Sequence, residues 1–295
     1  MSSISGLDGL IPTIEIIKMT KKIAIANKES IICGWSLLRK ELAKHKAIFI
    51  PVDSEHFSIH DLIKNENKSD IKKIFITASG GPFLNHNLKL IKKTNPKNAI
   101  KHPTWKMGKK ISIDSATLMN KVFELIEAIK IFDIKKSNFK IIIEPSSYVH
   151  AIVEFKNGVT KFLTHPTSMQ IPIYNSLYNV NHNFKFEKIN LNKLNKLNFQ
   201  NIDFKRFPIN KILNQIIDND SLFDTVLITA NDTLVDLFLK KKISFYEIYE
   251  KLNTILNLKE FNILKSIRPK NISQITDISH KVRLKTQSLS VRSRI

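Results

Sequence analysis

Short apolar runs alternate with amphipathic stretches through the first third of the chain. Residues 7–19 carry helical spacing, with Pro12 near the first turn. KKIAIA (21–26) predicts a short strand, and the polar NKES (27–30) leads into a helix reaching about Lys44. AIFIPV (47–52) predicts a second strand ending in DSEH (53–56). After a further short helix, KKIFITAS (72–79) predicts a third strand that runs into the turn GGPF (80–83). Strands that alternate with helices and end in polar clusters describe an α/β sheet whose C-terminal strand edge gathers the chemistry.

The rest of the chain is organised around the stretch from His102 to Glu127. It opens as a basic loop anchored by Trp105 and passes through ISID (111–114), which has β character. Asp114 and Ser115 then read as the cap of a mostly apolar helix. Spacings of three and four put Thr117, Asn120, Lys121, Glu124 and Glu127 in one polar stripe. A buried helix carries such a stripe when something polar faces it, so an active-site wall is expected; a partly exposed helix is the plainer reading. Beyond it, FKIIIEP (139–145), YVHAIVEF (148–155) and GVTKFLTH (158–165) predict consecutive strands, the last two joined at Lys156-Asn157-Gly158. This is α+β character. Residues 181–206 lack a period and read as an extended linker; helical signals dominate from Pro208 to about Ile278, and the basic tail 281–295 reads as frayed.

Composition narrows the class. Of 295 residues, 42% are hydrophobic and 25% charged, as in globular chains. No run approaches the roughly 18 apolar residues of a membrane span, and MSSISGLDGL has the features of no secretory signal. The single Cys33 excludes an internal disulfide and a cysteine-built zinc site, and fits a reducing cytoplasm. The formal charge of +21 raises the question of a polyanionic partner. Its basic residues, however, are spread from Lys18 to Arg294 without a dominant cluster, and the abundance of Ile and Asn beside Lys matches an A/T-biased genome. Anionic small substrates, or solubility alone, explain the charge better than nucleic acid.

Asp53 and Glu55 flank Ser54 at a strand end, where alternate residues point the same way and two carboxylates can grip one cation. With Glu124 they offer three oxygen ligands suited to Mg²⁺ or Mn²⁺; a solvated strand end plus a surface glutamate is the bland alternative. Ser79 precedes Gly80-Gly81-Pro82, a backbone able to approach a ligand closely, and Ser115 is placed at a helix N-terminus that favours anions. With His102, Asn120 and Lys121 these could form a phosphate cradle, or be a turn, an ordinary cap and a loop histidine. Trp105 and Met107 either pack into the core or close over a ligand as a lid. Lys28 is a surface turn residue or a substrate contact, and His56, His150 and His165 read as structural.

Five segments in this order, ANKES (26–30), PVDSEH (51–56), SGGPF (79–83), HPTWKMGKKISIDSATLMNK (102–121) and Glu124, resemble the 1-deoxy-D-xylulose 5-phosphate reductoisomerase family, closely over residues 6–130 and loosely beyond. The resemblance implies rearrangement of that sugar phosphate and NADPH-dependent reduction to 2-C-methyl-D-erythritol 4-phosphate, in the non-mevalonate isoprenoid route, by a homodimer. It implies metal ligation by Asp53, Glu55 and Glu124, with Lys28, Glu55, His102 and Glu124 catalytic. Ser79, Ser115, Asn120 and Lys121 would hold the phosphate and substrate oxygens with His102 on the flap, Lys28 and Ser54 would contact the hydroxyl end, and Trp105 and Met107 would cap it. Asn27, Glu29 and Gly108 match positions that touch NADPH. The implied architecture is an α/β remnant of a dinucleotide-binding domain (1–52), an α+β catalytic domain (53–180), a linker (181–206) and a C-terminal helical domain (207–295).

The chain carries no Gly-rich turn of the GxTGxIG kind, so an incomplete cofactor site, an unpartnered sheet edge and little NADPH-dependent turnover are expected. Val122 stands where the family pattern has glycine, and EPSS (144–147), TSM (167–169) and ITAND (228–232) depart from HPQS-, PDM- and NAANE-like segments. These differences direct attention to C-terminal packing and dimerisation. The rival reading is a degenerate, non-catalytic relative that binds ligand or a partner chain.

Overall fold

The computed structural model describes residues 1–178, 185 and 187–291. A 3₁₀ turn, Leu7–Gly9, leads into α1 (Leu10–Ile17), followed by β1 (Lys22–Ile25), α2 (Lys28–His45), β2 (Ile48–Pro51) and α3 (Ser54–Ile63). β1 and β2 form a two-stranded parallel sheet with Ala24 opposite Ile50, and Ser2 adds a single parallel bridge to Ile25. Among the described residues no further strand pairs with β2, and Ile48 is exposed, as expected for an open parallel edge.

β3 (Ile71–Ala78) ends in a 3₁₀ turn, Gly81–Phe83, and the chain then builds α4 (Leu88–Lys92), α5 (Pro96–Ala99), α6 (Lys109–Ala116) and α7 (Met119–Phe132). β4 (Phe139–Ile143), β5 (Val149–Phe155) and β6 (Thr160–Thr164) join β3 in a mixed sheet of order β4-β3-β5-β6, with β4 parallel to β3 and the β3–β5 and β5–β6 pairs antiparallel. The remainder is helical: α8 (Gln170–Leu177), α9 (Leu191–Asn195), α10 (Asn210–Leu213), α11 (Leu222–Leu239), α12 (Phe245–Leu256), α13 (Lys259–Asn262) and α14 (Ile272–Val291). No helix among the described residues is long and apolar enough to cross a membrane.

Local chemistry sets the boundaries that matter for the site. Asn27 accepts the Ser30 N–H at 2.6 Å and starts α2, which ends at a left-handed Lys46. Asp53 accepts the Glu55 N–H at 3.2 Å and starts α3. Asp224 and Glu247 accept from the N–H groups of Ser221 and Ser244, opening α11 and α12. The C-terminal ends of β1, β2 and β3 therefore deliver Lys28, Asp53 and Ser79 to one side of the molecule. α7 crosses behind them, in contact with α2, α3, β3 and β4, and buries Met119, Val122, Phe123 and Ile126.

One hydrophobic cluster runs from Leu10 to Val282, so the C-terminal helices share a core with the sheets. Its aromatic joint is Phe245, edge-on to Phe83 at 5.1 Å and to Phe238 at 5.6 Å. Nearby, Tyr249 donates to the Thr117 carbonyl at 3.0 Å.

Three expectations are corrected. ISID lies inside α6, where Lys110 and Asp114 pair at i,i+4 (3.2 Å) and Ile113 is buried against helices without strand pairing. Asp114 and Ser115 accordingly fall in the last turn of α6 and cap nothing; α7 starts after a left-handed Leu118 (φ 58°), and the anion-attracting helix start inferred for Ser115 does not exist. The tail from Lys281 is helical to Val291, because Ile275, Val282 and Thr286 bury one face of α14, which packs on α11; residues 292–295 lie outside the described residues. The stretch read as a linker contains α9 and an antiparallel bridge from Gln200 to Ile143, while 181–184 and 186 lie outside the described residues.

Phe245→Ala should cost about 3–5 kcal/mol by emptying the aromatic joint, lowering the urea midpoint. Leu284→Ala, on an exposed position, should stay within about 0.5 kcal/mol.

Candidate active site

The polar stripe of α7 faces inward. Glu124 and Glu127 are 1% exposed and Lys121 8%, so the stripe is an enclosed polar wall and not a solvated face. Lys121 forms ion pairs with Glu55 and, at 2.6 Å, with Glu124. Lys28, projecting from the first turn of α2, pairs with Asp53, with Glu127 at 3.3 Å and with Glu124 at 3.6 Å. His56 lies beneath, its Nε2 2.9 Å from the Glu124 carbonyl oxygen and its Nδ1 3.5 Å from Asp53. Four carboxylates thus share two ammonium groups.

Electrostatics follow from that shortage. Burial first, and then the Glu55 charge, raise the Glu124 pKa well above the ordinary carboxylate value, with Lys121 and Lys28 only partly offsetting them. Burial raises Glu127 as well. Burial works against the charged form of Lys28, but Asp53, Glu127 and Glu124 override it and hold the ammonium well above its usual range. Burial opposes ionisation of Asp53 too, yet Lys28 prevails and holds it below its usual value. Oxygen atoms of Asp53, Glu55 and Glu124 all lie within 4.8 Å of one another. Three hard oxygen donors with surplus negative charge fit a divalent cation of the Mg²⁺ or Mn²⁺ kind.

Beside the carboxylates lies a cavity of about 230 Å³. Lys28, Asp53, Ser54, Glu55 and Glu124 line one end, and Ser79, His102, Ser115, Asn120 and Lys121 line it too. Trp105, Lys106 and Met107 belong to the loop that borders it. His102 Nδ1 accepts the N–H groups of Thr104 (3.2 Å) and Trp105 (3.0 Å), which assigns the proton to Nε2, 3.1 Å from Ser79 Oγ. Ser79 Oγ also accepts from the Gly81 N–H at 3.1 Å, so its own hydroxyl proton is left to point at a ligand. That geometry needs the left-handed Gly81, where a Cβ would meet the Ser115 carbonyl at 2.9 Å. Burial, then the Lys121 charge, lower the His102 pKa to about 4, keeping it a neutral donor. Ser54 donates to Glu55 at 2.6 Å, and Asn120 donates to Glu124 while its buried Oδ1 has no partner among the described residues.

The three remaining expected residues lie to one side. Asn27, besides capping α2, donates to the Gly6 carbonyl at 2.9 Å and to Glu29 at 3.1 Å. Glu29 accepts from Lys110 at 2.9 Å, and the same ammonium reaches Asp232 of α11 at 2.9 Å, while Asn231 donates to Asp114 at 2.7 Å. Within ITAND, the departure Asp232 and the matching Asn231 are therefore absorbed into one polar cluster. Gly108 is exposed at the start of α6, with open space where a Cβ would be.

Sequence profiles agree with this geometry: the 1-deoxy-D-xylulose 5-phosphate reductoisomerase profile matches residues 1–34, and the C-terminal-domain profiles of that enzyme match residues 49–132 and 165–285. A 1-deoxy-D-xylulose 5-phosphate reductoisomerase of Pelagibacter ubique (strain HTCC1062) is 55% identical over 292 residues, covering 99% of this chain and 75% of that protein. The chain belongs to the 1-deoxy-D-xylulose 5-phosphate reductoisomerase family. The Wolbachia pipientis wMel reductoisomerase is 41% identical, with 96% and 72% covered. A DOX-P reductoisomerase solved with NADPH, fosmidomycin and magnesium superposes with a TM-score of 0.89 at 32% identity, over 99% of this chain and 75% of that one. The Zymomonas mobilis reductoisomerase with NADPH gives 0.87 at 32%, over 98% and 74%. The chain thus spans about three-quarters of its reductoisomerase relatives.

Sequence reasoning gave no role in the site to several of its members. Glu127 stood only in the polar stripe, without a ligand role, and His56 reads as structural in the sequence although its spacing of three from Asp53 marks it. His150, stacked on His165 at 3.6 Å and edge-on to Trp105, lines the cavity with Ser147 and Met169, as does Lys106. Only the tertiary fold brings β5 and its neighbours under the flap.

An imidazole titration followed by NMR should place His102 near pH 4, below the ordinary 6.5. The unfolded chain takes up that proton near 6.5 and the folded chain only near 4, so this group erodes stability as pH falls through the interval. His102→Asn should flatten that part of the stability profile; an ordinary His102 midpoint contradicts the burial argument.

Proposed function

We propose that this chain binds 1-deoxy-D-xylulose 5-phosphate and a divalent metal in the cavity beside α7, and takes part in its rearrangement and NADPH-dependent reduction to 2-C-methyl-D-erythritol 4-phosphate. The observation that carries the reading is the convergence of Asp53, Glu55 and Glu124 on one end of a cavity that Ser79, His102, Ser115, Asn120 and Lys121 also line. Family membership supplies the reaction, and the NADPH and magnesium of solved relatives supply the cofactors. A non-catalytic relative would have no use for three carboxylates and a serine–histidine–lysine cradle in register.

Asp53, Glu55 and Glu124 would hold the metal, which when bound chelates substrate oxygens and stabilises negative charge developing there. The protein's own groups do the rest. Ser79, with its hydroxyl proton free, and Ser115 face the phosphate; Asn120 and Lys121 hold oxygens along the substrate. Neutral His102 keeps its proton on Nε2 and so fixes the Ser79 rotor. Lys28 and Ser54 meet the hydroxyl end, and Trp105 and Met107 close over the ligand and exclude water. Asn27, Glu29 and Gly108 form the margin toward NADPH; Asn27 and Glu29 hold that margin rigid and Gly108 leaves its surface open.

The same reading divides the chain into a dinucleotide-binding remnant (1–52), a catalytic α+β part (53–180), a linker (181–206) and a helical part (207–295), in a cytoplasmic homodimer. The edge strand β6, with Phe162 on it and Val159 just before it both exposed, supports an apolar contact between copies.

Titration calorimetry with Mn²⁺ tests the metal site. The wild-type chain should bind one ion, and Asp53→Asn or Glu124→Gln should weaken it at least about tenfold, since each removes a charged ligand. Equal binding by all three proteins sinks the assignment.

A further inference from the structure

Resting on the metal and substrate reading above, we propose that Glu127 is a positioning residue that holds the Lys28 ammonium at the cavity from outside it. Its hold matters most when Asp53 and Glu124 are drawn to a divalent cation.

Lys28 stands in the first turn of α2, lines the cavity and has a side chain 11% exposed. Its ammonium has three carboxyl partners: Asp53, Glu127 at 3.3 Å and Glu124 at 3.6 Å. Asp53 and Glu124 belong, with Glu55, to the triad whose oxygens lie within 4.8 Å of one another. The oxygens of these two that Lys28 leaves are engaged as well. Asp53 Oδ1 accepts the Glu55 N–H at 3.2 Å, and Glu124 Oε2 accepts from Lys121 at 2.6 Å. A cation held by the triad therefore competes with Lys28 for Asp53 and Glu124.

Glu127 stands outside that competition. It is not one of the triad, does not line the cavity and is 1% exposed. Its place is set by α7, which packs on α2 and buries Phe123 and Ile126 beside it. A lysine ammonium rides on a flexible four-carbon stem, so its position is only as definite as the acceptors that fix it. Of the three acceptors, Glu127 alone remains when the triad turns to a cation. The contact needs an oxygen that accepts, which a carboxyl offers whether or not it carries a proton. The upward push of burial on the Glu127 pKa leaves the role intact. His56 Nδ1 lies 4.0 Å from the same Glu127 oxygen, and the His56 ring is itself fixed by Nε2, 2.9 Å from the Glu124 carbonyl oxygen.

Competitive acetylation read by mass spectrometry reports on Lys28 directly, with exposed Lys22 as the internal reference. In the wild-type chain Lys28 should stay protected with and without saturating Mn²⁺. In E127M its labelling relative to Lys22 should rise about threefold or more with Mn²⁺, the scale of one lost hydrogen bond to a charged group. Without Mn²⁺ the rise should be smaller, because Asp53 still holds the ammonium. E127Q keeps an acceptor oxygen and should stay near wild type. E127D shortens the reach by one methylene, should expose Lys28 part-way, and serves if E127M does not fold. Equal protection of Lys28 in wild type, E127M and E127D overturns the inference, as does E127Q labelling like E127M or a rise indifferent to Mn²⁺. Calorimetry with 1-deoxy-D-xylulose 5-phosphate at saturating Mn²⁺ gives the second readout. E127M should bind about fivefold more weakly, and the loss should vanish in a K28M background, as for a residue that acts through Lys28. A loss that persists without Lys28 is a general effect on the fold and overturns the positioning role. A wild-type chain that binds Mn²⁺ but not the sugar phosphate overturns the substrate reading, while acetylation still decides whether Glu127 holds Lys28.

Discussion

The rest of the structure depends on the enclosure of α7. A helix with glutamates at two positions and a lysine three residues before the first can be buried only if its charges meet one another or meet partners from elsewhere. Here Lys28 arrives from α2, Asp53, Glu55 and His56 from the start of α3, and all of them converge on Lys121, Glu124 and Glu127. The two-stranded sheet, the helices that follow its strands and the mixed sheet are the scaffolding that brings these groups to one face. The number of carboxylates exceeds the number of ammonium groups, and that imbalance is what makes the place receptive to a cation.

Burying unbalanced charge weakens a fold, and the molecule offsets it with ordinary apolar packing. The faces of α7 that carry no charge bury Met119, Val122, Phe123 and Ile126, and the core they join extends through α11 and α12 to α14. Stability is generated in the apolar cluster and spent beside the cavity, the usual arrangement at a functional site.

How far the sequence revealed this depended on how local the determining interactions are. The three strands before α7 and the stripe from Asn120 to Glu127 follow from neighbours in the chain, and they are where the pattern placed them; Thr117 falls one turn earlier, at the end of α6. ISID misled because two isoleucines alternating with polar residues look like a strand, whereas the ion pair that makes them helical, Lys110 with Asp114, is completed by Glu29 and Asp232 from distant segments. The C-terminal tail misled for the same reason: Val282 and Thr286 are inside only because α11 lies against them. Motifs in register marked the carboxylates and the polar residues that the fold brings to one cavity, but the members set by tertiary contact alone, such as His150 and Met169, carried no local signal.

The cluster at Lys110 has a consequence for how the parts of the molecule depend on one another. Its ammonium joins the first turn of α2, the helix that continues the cavity's loop, and α11. The C-terminal helices contribute no group to the cavity among the described residues, yet through Asn231 and Asp232 they form the abutment against which that loop is braced. Like the springing of an arch, α11 bears thrust without spanning the gap. The set of the cavity's loop in this chain is therefore a property of a distant helix as much as of the residues that line the cavity.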